Sequence, residues 1–348
     1  MAIFKYDFFN TPILLFICGI FLLLSCTPQV EVQRLKPAQV NLSSYPKIAL
    51  GKIEGKGGDQ IAGKLTQNLA ESEYFQVVER KHLKSILKEQ DLSISEVSNP
   101  NNAVKLGKLL TGSAMLFGEV YTRNYRQNIS RDKRTCTNDD GEEYRCYSYT
   151  LSSNWNLNTN LKLVDTSTGK VLASKTFEKS ETRSSSETGE LPQVNWNKVH
   201  VFAQLEDEIV QEFMQVISPH KVSLDVYMYK DSKALNLFGN IQLPQLKTGI
   251  KYAKQGDWQS AIEKFQSAVN KAERDPSVSA DLRAKAHYNL GIAFGYSGKY
   301  NKGLKQIEKA INIKPQDVFF KQKTKIKQFI EDEKKLKQQG VYSPFPNP

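Results

Sequence analysis

The stretch LNTNLKLVDTSTGKVLASKTF, Leu157 to Phe177, decides how most of this chain folds. Leu157, Leu161 and Leu163, with Val164 beside them, repeat apolar character with the period of a strand that buries one face. Asp165-Thr166-Ser167-Thr168-Gly169 is polar, ends in glycine and reads as a turn. Lys170 to Phe177 then returns as a second strand, and the pair makes a hairpin.

On the N-terminal side, Pro46 leads into a short strand, Lys47-Ile48-Ala49-Leu50, and a glycine-rich loop runs through Gly58. Ile61, Leu65 and Leu69 then share one helical face. Tyr74 to Arg80 reads as a strand, Leu83, Ile86 and Leu87 as a helix, Ala103 to Leu110 as another helix, and Ala114 to Tyr121 as an apolar strand. Beyond the hairpin, Val199 to Ile217 is an amphipathic helix and Val222 to Tyr229 a closing strand. Strands and helices in this mixture define an α/β domain over residues 46–230, a mixed sheet packed with helices.

Three segments of that domain, taken in order, resemble the CsgG family, the curli secretion-channel lipoproteins and their periplasmic relatives. They are Phe75 to Arg80 with Leu83, Leu87 and Gln90; Leu106-Gly107-Lys108 leading to Gly118-Glu119-Val120; and Leu163 to Leu172. The resemblance implies a sheet with helices packed on it. Some members form ring-shaped outer-membrane pores by inserting two hairpins, one before and one after the strand that here holds Leu163. Others are lipid-anchored periplasmic regulators. The stretches at the hairpin positions are charged here: Arg131, Asp132, Lys133, Arg134, Asp139, Asp140, Glu142, Glu143 and Arg145 in the first, and Lys179, Glu181, Arg183 and Glu187 within Glu178 to Glu190 in the second. A lysine or arginine facing lipid near the midplane costs ~2–4 kcal/mol, so a pore is not expected.

The C-terminal third carries two similar segments. One runs Gly249, Tyr252, Gly256, Asp257, Trp258, Ala261, Ile262, Phe265, Ala268; the other Leu290, Gly291, Phe294, Gly298, Lys299, Tyr300, Leu304, Ile307, Ala310, Pro315. These spacings match the tetratricopeptide repeat, in which small residues let paired helices approach closely. Gly303 stands where alanine is usual, at a helix-propensity cost of ~1 kcal/mol. Two such repeats span residues 246–315, an all-α helical-repeat domain, after a linker at 231–245. A capping helix over 316–340 and a tail at 341–348 complete the chain. In the repeat's first-helix positions Lys247, Lys254, Lys285, Tyr288, Asn289 and Tyr296 are candidates to line a partner-binding groove.

At the other end, the apolar run from Ile13 to Leu24 is too short to span a bilayer and stops at Leu23-Leu24-Ser25-Cys26. This resembles the lipobox of bacterial lipoproteins, which implies removal of residues 1–25, a diacylglycerol on Cys26 and a tether over 26–45. The compartment that follows is the cell envelope, most simply the outer membrane with the folded part in the periplasm. There, Cys136 and Cys146 read as a disulfide, with free thiols and a metal site as alternatives.

The formal charge is +11, and from Ile241 onward 20 Lys and Arg face 10 Asp and Glu. That balance suits an acidic envelope partner or anionic lipid, or else a solvated lysine surface; nucleic acid is excluded by compartment. Gly51 to Gly57 lacks the spacing and the hydroxyl residue of a phosphate loop. His82, His200, His220 and His287 fall in separate elements, and Glu206, Asp207 and Glu208 read as the wet face of a helix. No cofactor, metal or catalytic constellation emerges. The expectation is a lipid-anchored binding or assembly factor, open to self-association, with a subunit of a curli-type secretion pore as the alternative. Replacing Cys26→Ser is expected to shift the protein out of the detergent phase in a partitioning assay; unchanged partitioning would remove the anchor.

Overall fold

The computed structural model describes residues 29–78, 113–230 and 242–342. Cys26 and the helices expected around Leu83 and Ala103 lie outside the described residues. Fourteen elements follow in order: β1 Gln29–Lys36, β2 Lys47–Glu54, α1 Gly58–Glu71, β3 Gln76–Val78, β4 Ser113–Thr137, β5 Glu143–Asp165, β6 Val171–Thr188, α2 Lys198–Ile217, β7 His220–Tyr227, α3 Pro244–Lys254, α4 Trp258–Arg274, α5 Ala280–Tyr296, α6 Tyr300–Ile313 and α7 Asp317–Gln338. They divide into two compact units. One holds the chain through Arg34 together with Val222–Glu331; the other holds Leu35–Lys221 and the residues from Asp332 onward.

The sheet unit is built on five strands in the order β3-β2-β4-β5-β6. β2 runs parallel to β3 and β4, whereas β4, β5 and β6 are antiparallel neighbours. One face is covered by α1, which buries Ile61, Leu65 and Leu69, and by α2, which buries Phe202, Leu205, Ile209 and Phe213. Asn197 caps α2 by accepting from the N–H groups of Val199 and His200, two of the donors that a helix start leaves over. The core they close contains Ile48, Leu116, Trp155, Leu161 and Leu163, all essentially solvent-free.

The turn read from the sequence is a hydrogen-bond knot. Asp165 accepts from Ser167 N–H at 2.8 Å, Ser167 Oγ at 2.6 Å, Thr168 Oγ1 at 2.7 Å and the Tyr45 hydroxyl at 3.2 Å. Desolvation pushes this carboxyl up, but the donors outweigh it and hold its pKa at about 2.

The helical unit pairs α3 with α4 and α5 with α6, and places α7 after them. Gly256 and Gly298, at the two interhelical turns, have φ of +75° and +78°. Gly303 has a packing reason: a Cβ there would sit 2.9 Å from the Gly291 carbonyl oxygen, so α5 and α6 meet too closely for alanine. A two-stranded sheet of β1 and β7 adds Val30, Val32, Val226 and Met228 to the helical core.

That sheet corrects the expected tether over 26–45. Residues 29–36 are a strand, with Val30 fully buried and Arg34 1% exposed. The Arg34 guanidinium donates to the Tyr300 hydroxyl at 3.2 Å and the Phe329 carbonyl at 3.0 Å, and lies 3.9 Å from the centre of the Phe329 ring. Residues just beyond it are held too: Val40 N–H donates to the Val216 carbonyl at 3.0 Å.

Because the folded carboxyl of Asp165 lies below the ordinary value of ~3.9, its contribution is present above about pH 4 and is lost as pH falls toward 2. Asp165→Asn is expected to cost ~2 kcal/mol at pH 7 and about half as much at pH 3. Urea midpoints at the two pH values check this; an equal gap at both would show that the charge is not what stabilises the turn.

Candidate interaction surfaces

Among the described residues no group of three or more His, Cys, Asp or Glu is placed to hold a metal ion. Two other features stand out, a long β arm on the sheet unit and a clamp of polar and aromatic groups in the helical unit.

The arm grows from the core strands. β4 and β5 stay in register from Ala114 opposite Asp165 to Thr137 opposite Glu143, slipping by one residue between Val120 and Thr122, and β6 follows β5 out to Thr188. Period-two geometry then sorts the side chains. On β5 the helix-side set is Leu151, Ser153, Trp155, Leu157 and Thr159; the opposite set is Thr150, Ser152, Asn154, Asn156, Asn158 and Asn160.

The opposite face is a ladder of amides and hydroxyls. Asn156 donates to Asn124 at 3.1 Å, Thr182 to Asn154 at 2.7 Å and Asn160 to Thr176 at 2.9 Å, while Thr150 and Ser186 lie 2.8 Å apart. On the helix side Arg123, Arg131, Lys133, Lys179 and Arg183 alternate with aromatics. Neither face of the arm is apolar.

Several of these cations meet α2. Arg123 pairs with Glu206 at 3.1 Å and lies over the Phe202 ring at 4.1 Å, Lys179 pairs with Glu208 at 3.2 Å, and Lys175 with Glu212 at 3.4 Å. Glu206 is therefore not part of a wet helix face; it is 2% exposed because the guanidinium of Arg123 reaches it there. The same side chain packs beside Gly57, where a Cβ would lie 2.8 Å from it, so it fills the glycine-rich loop.

At the arm's tip Cys136 and Cys146 are joined, with Cα atoms 5.8 Å apart. Asn138 organises the turn between them by accepting from Glu142 N–H at 2.8 Å and Asp140 N–H at 3.1 Å. The second stretch singled out in the sequence, Glu178 to Glu190, does not make a hairpin. β6 runs straight through it to Thr188, and 189–197 return to α2 without forming a strand.

The helical unit places the six groove candidates in two different settings. Lys247 and Lys254 are exposed on α3. Lys285 is half-buried, paired with Asp281 at 2.6 Å and 5.0 Å from the centre of the Tyr229 ring. Tyr288, Asn289 and Tyr296 do not line an open groove: they are 1%, 0% and 0% exposed. The chain's own residues cover them. Phe319 stacks on Tyr288 at 4.7 Å, and Phe329 meets Tyr296 edge-on at 5.2 Å, both from α7. Burial pushes the Tyr288 hydroxyl far up and that of Tyr296 to about 12.

Asn289 is spent on Tyr229. Its Oδ1 accepts the Tyr229 N–H at 3.0 Å and its Nδ2 donates to the Tyr229 carbonyl at 2.8 Å. His287, 1% exposed, lies 2.7 Å from both Glu273 and Gln306, and this contact holds the Glu273 carboxyl below its usual range. Tyr229 was read as the end of a strand and Phe319 as part of a cap. Only their aromatic character hinted at a role, since both lie far in sequence from the helix they cover.

Residues 23–216, more than half of the chain, match the family model of the curli production assembly/transport component CsgG. The chain belongs to the CsgG family.

Among solved structures it is similar to lipoprotein GNA1162 from Neisseria meningitidis, 16% identical over 48% of this chain and 96% of that one, with a TM-score of 0.26. It is also similar to the PelC dodecamer from Paraburkholderia phytofirmans, 13% identical over 56% and 100%, with a TM-score of 0.25. Curated relatives include the nuclear autoantigenic sperm protein of Homo sapiens, 34% identical over 68 residues, and that of Bos taurus, 28% identical over 88. This chain spans only 9% and 11% of their lengths.

Closing a loop of about ten residues stabilises by roughly 2–3 kcal/mol in the chain-entropy model. Because the strand ladder already holds the tip, replacing Cys136 and Cys146 with serine is expected to loosen only the outer arm. Hydrogen exchange should quicken in 128–148 and stay unchanged around Leu161; quickening throughout the sheet would contradict a local role.

Proposed function

We propose that this chain is a lipid-anchored assembly factor of the cell envelope. Lipid on Cys26 holds it to the membrane, outer membrane with the folded part in the periplasm being the simplest placement. The CsgG-like unit docks on envelope machinery or on further copies of itself, and the helical unit, whose α3–α6 are two tetratricopeptide-type hairpins, holds a protein or peptide partner. The exposed lysines of α3 and the positive balance of the C-terminal third support acidic segments in that partner.

One observation favours this reading over a pore subunit: the register of the arm. A membrane strand needs about 9–11 residues with apolar side chains toward lipid on one face. Here one face is mostly Asn, Ser and Thr with Arg126, Asp132, Arg134 and Glu178 among them, and the other mixes Arg, Lys and Glu with its apolar residues. Such an arm works in water, where its amides, hydroxyls and strand edges can engage other chains.

Crosslinking in native membranes followed by capture of the lipidated protein is expected to recover a discrete envelope partner, while the same preparation in planar bilayers stays electrically silent. Reproducible unitary conductance with ring-shaped particles of matching stoichiometry would replace this reading with the pore.

A further inference from the structure

The residue that follows the end of β7 by two positions is treated as a ligand is treated. Both main-chain polar groups of Tyr229 are taken by one side-chain amide, that of the fully buried Asn289. This is the pairing a neighbouring strand would supply, and it reads backbone rather than sequence. The ring of Tyr229 enters a slot made by Tyr288 at 5.3 Å and Phe319 at 6.2 Å, with Lys285 at 5.0 Å and the Gln316 Oε1 3.3 Å from its hydroxyl. Tyr227 and Lys230 are exposed, and Met228 between Tyr227 and Tyr229 is buried in the helical core. β7 itself is anchored by Val226, which is buried in the helical core.

We infer that Asn289, Tyr288, Phe319 and Lys285 form a peptide-binding site which the chain keeps closed in cis with Tyr229, and that its partner is an extended peptide bearing an aromatic residue. This deepens the reading of the helical unit as a partner-binding module and rests on it. Simple departure of Tyr229 is disfavoured, because it would leave a buried amide without partners. Exchange for another extended segment keeps every hydrogen bond and is the route the geometry permits. Apparent affinity in trans is then reduced by the fraction of molecules in which the cis segment has left.

The test uses the full chain and a labelled peptide of the chain's own sequence LDVYMYK, Leu224 to Lys230. Tyr229→Ala is expected to bind it about tenfold or more tightly than wild type, because the ring that fills the slot is gone and the cis segment is held less firmly. Tyr229→Ala with Asn289→Ala should bind nothing, and the same peptide with both tyrosines replaced by alanine should not bind any form. A folded Tyr229→Ala protein, judged by its helical circular dichroism, that binds no better than wild type would overturn the inference. If Tyr229→Ala does not fold, hydrogen exchange on wild type decides. Saturating peptide must speed exchange of the Tyr229 amide without speeding that of Val226, and no change there also overturns it. Capture of the same envelope partner by wild type and Tyr229→Ala to equal extent would leave the wider function standing while removing closure in cis.

Discussion

Every other feature of the sheet unit depends on the alternation along β5. It is paired along both edges, with β4 and β6, so its backbone groups are satisfied over almost its whole length and its side chains are forced to strict alternation. The odd-numbered residues from Leu151 to Asp165 all fall on one face, and where α1 and α2 cover that face they become the core. Beyond the helices the same strand continues with the same period, so the arm is an extension of the core strands, stiffened by the same ladder. A slip of one residue would exchange Trp155 for Asn154 and Leu161 for Asn160, turning the core amide-rich. The single irregularity between Val120 and Thr122 adds a residue to β4 at the place where the arm leaves the core.

The parts legible in the sequence are those whose determinants are local. The turn at Asp165 to Gly169 and the small residues where α3 to α6 cross are set by neighbours along the chain. What was misread depends on distant partners. The segment QVEVQRLK alternates like a strand but carries an arginine on its buried side, and the groups that make this tolerable, Tyr300 and Phe329, lie more than 260 positions away. Glu206 opens a run of acids on its helix and looks solvated, until Arg123 is brought against it from β4. Tyr288, Asn289 and Tyr296 sit in the repeat positions that face a groove, and nothing in their spacing tells that Tyr229, Phe319 and Phe329 occupy it.

The two units solve the problem of buried polarity differently. In the sheet unit cations from the arm meet acids along one helix, mostly at partly exposed positions where each pair contributes little and the set fixes orientation. Apart from His287, which lies against Glu273 and Gln306, the buried polar groups of the helical unit are amides, hydroxyls and one guanidinium directed at main-chain oxygen or at rings. Such contacts are insensitive to salt and demanding in geometry. Ionic strength should therefore act on the arm's attachment before it acts on the helical core.

The split composition of the helical unit also dictates an order of assembly. Its first strand leaves the ribosome, or a translocation channel, well before its partner strand, with Leu35 to Lys221 of the sheet unit made in between. Joining two such distant segments across an open chain of roughly 190 residues costs ~4–5 kcal/mol in loop entropy. Once Leu35 to Lys221 has folded, the bond between Val40 and Val216 holds the entry and exit of that unit side by side, and the closure left to make is only about ten residues on each arm. Closure entropy thus favours pairing of β1 with β7 after Leu35 to Lys221 has folded. Until that moment Val30 and Val32 remain uncovered on an unpaired strand, and the chain depends on the sheet folding promptly to shorten the wait.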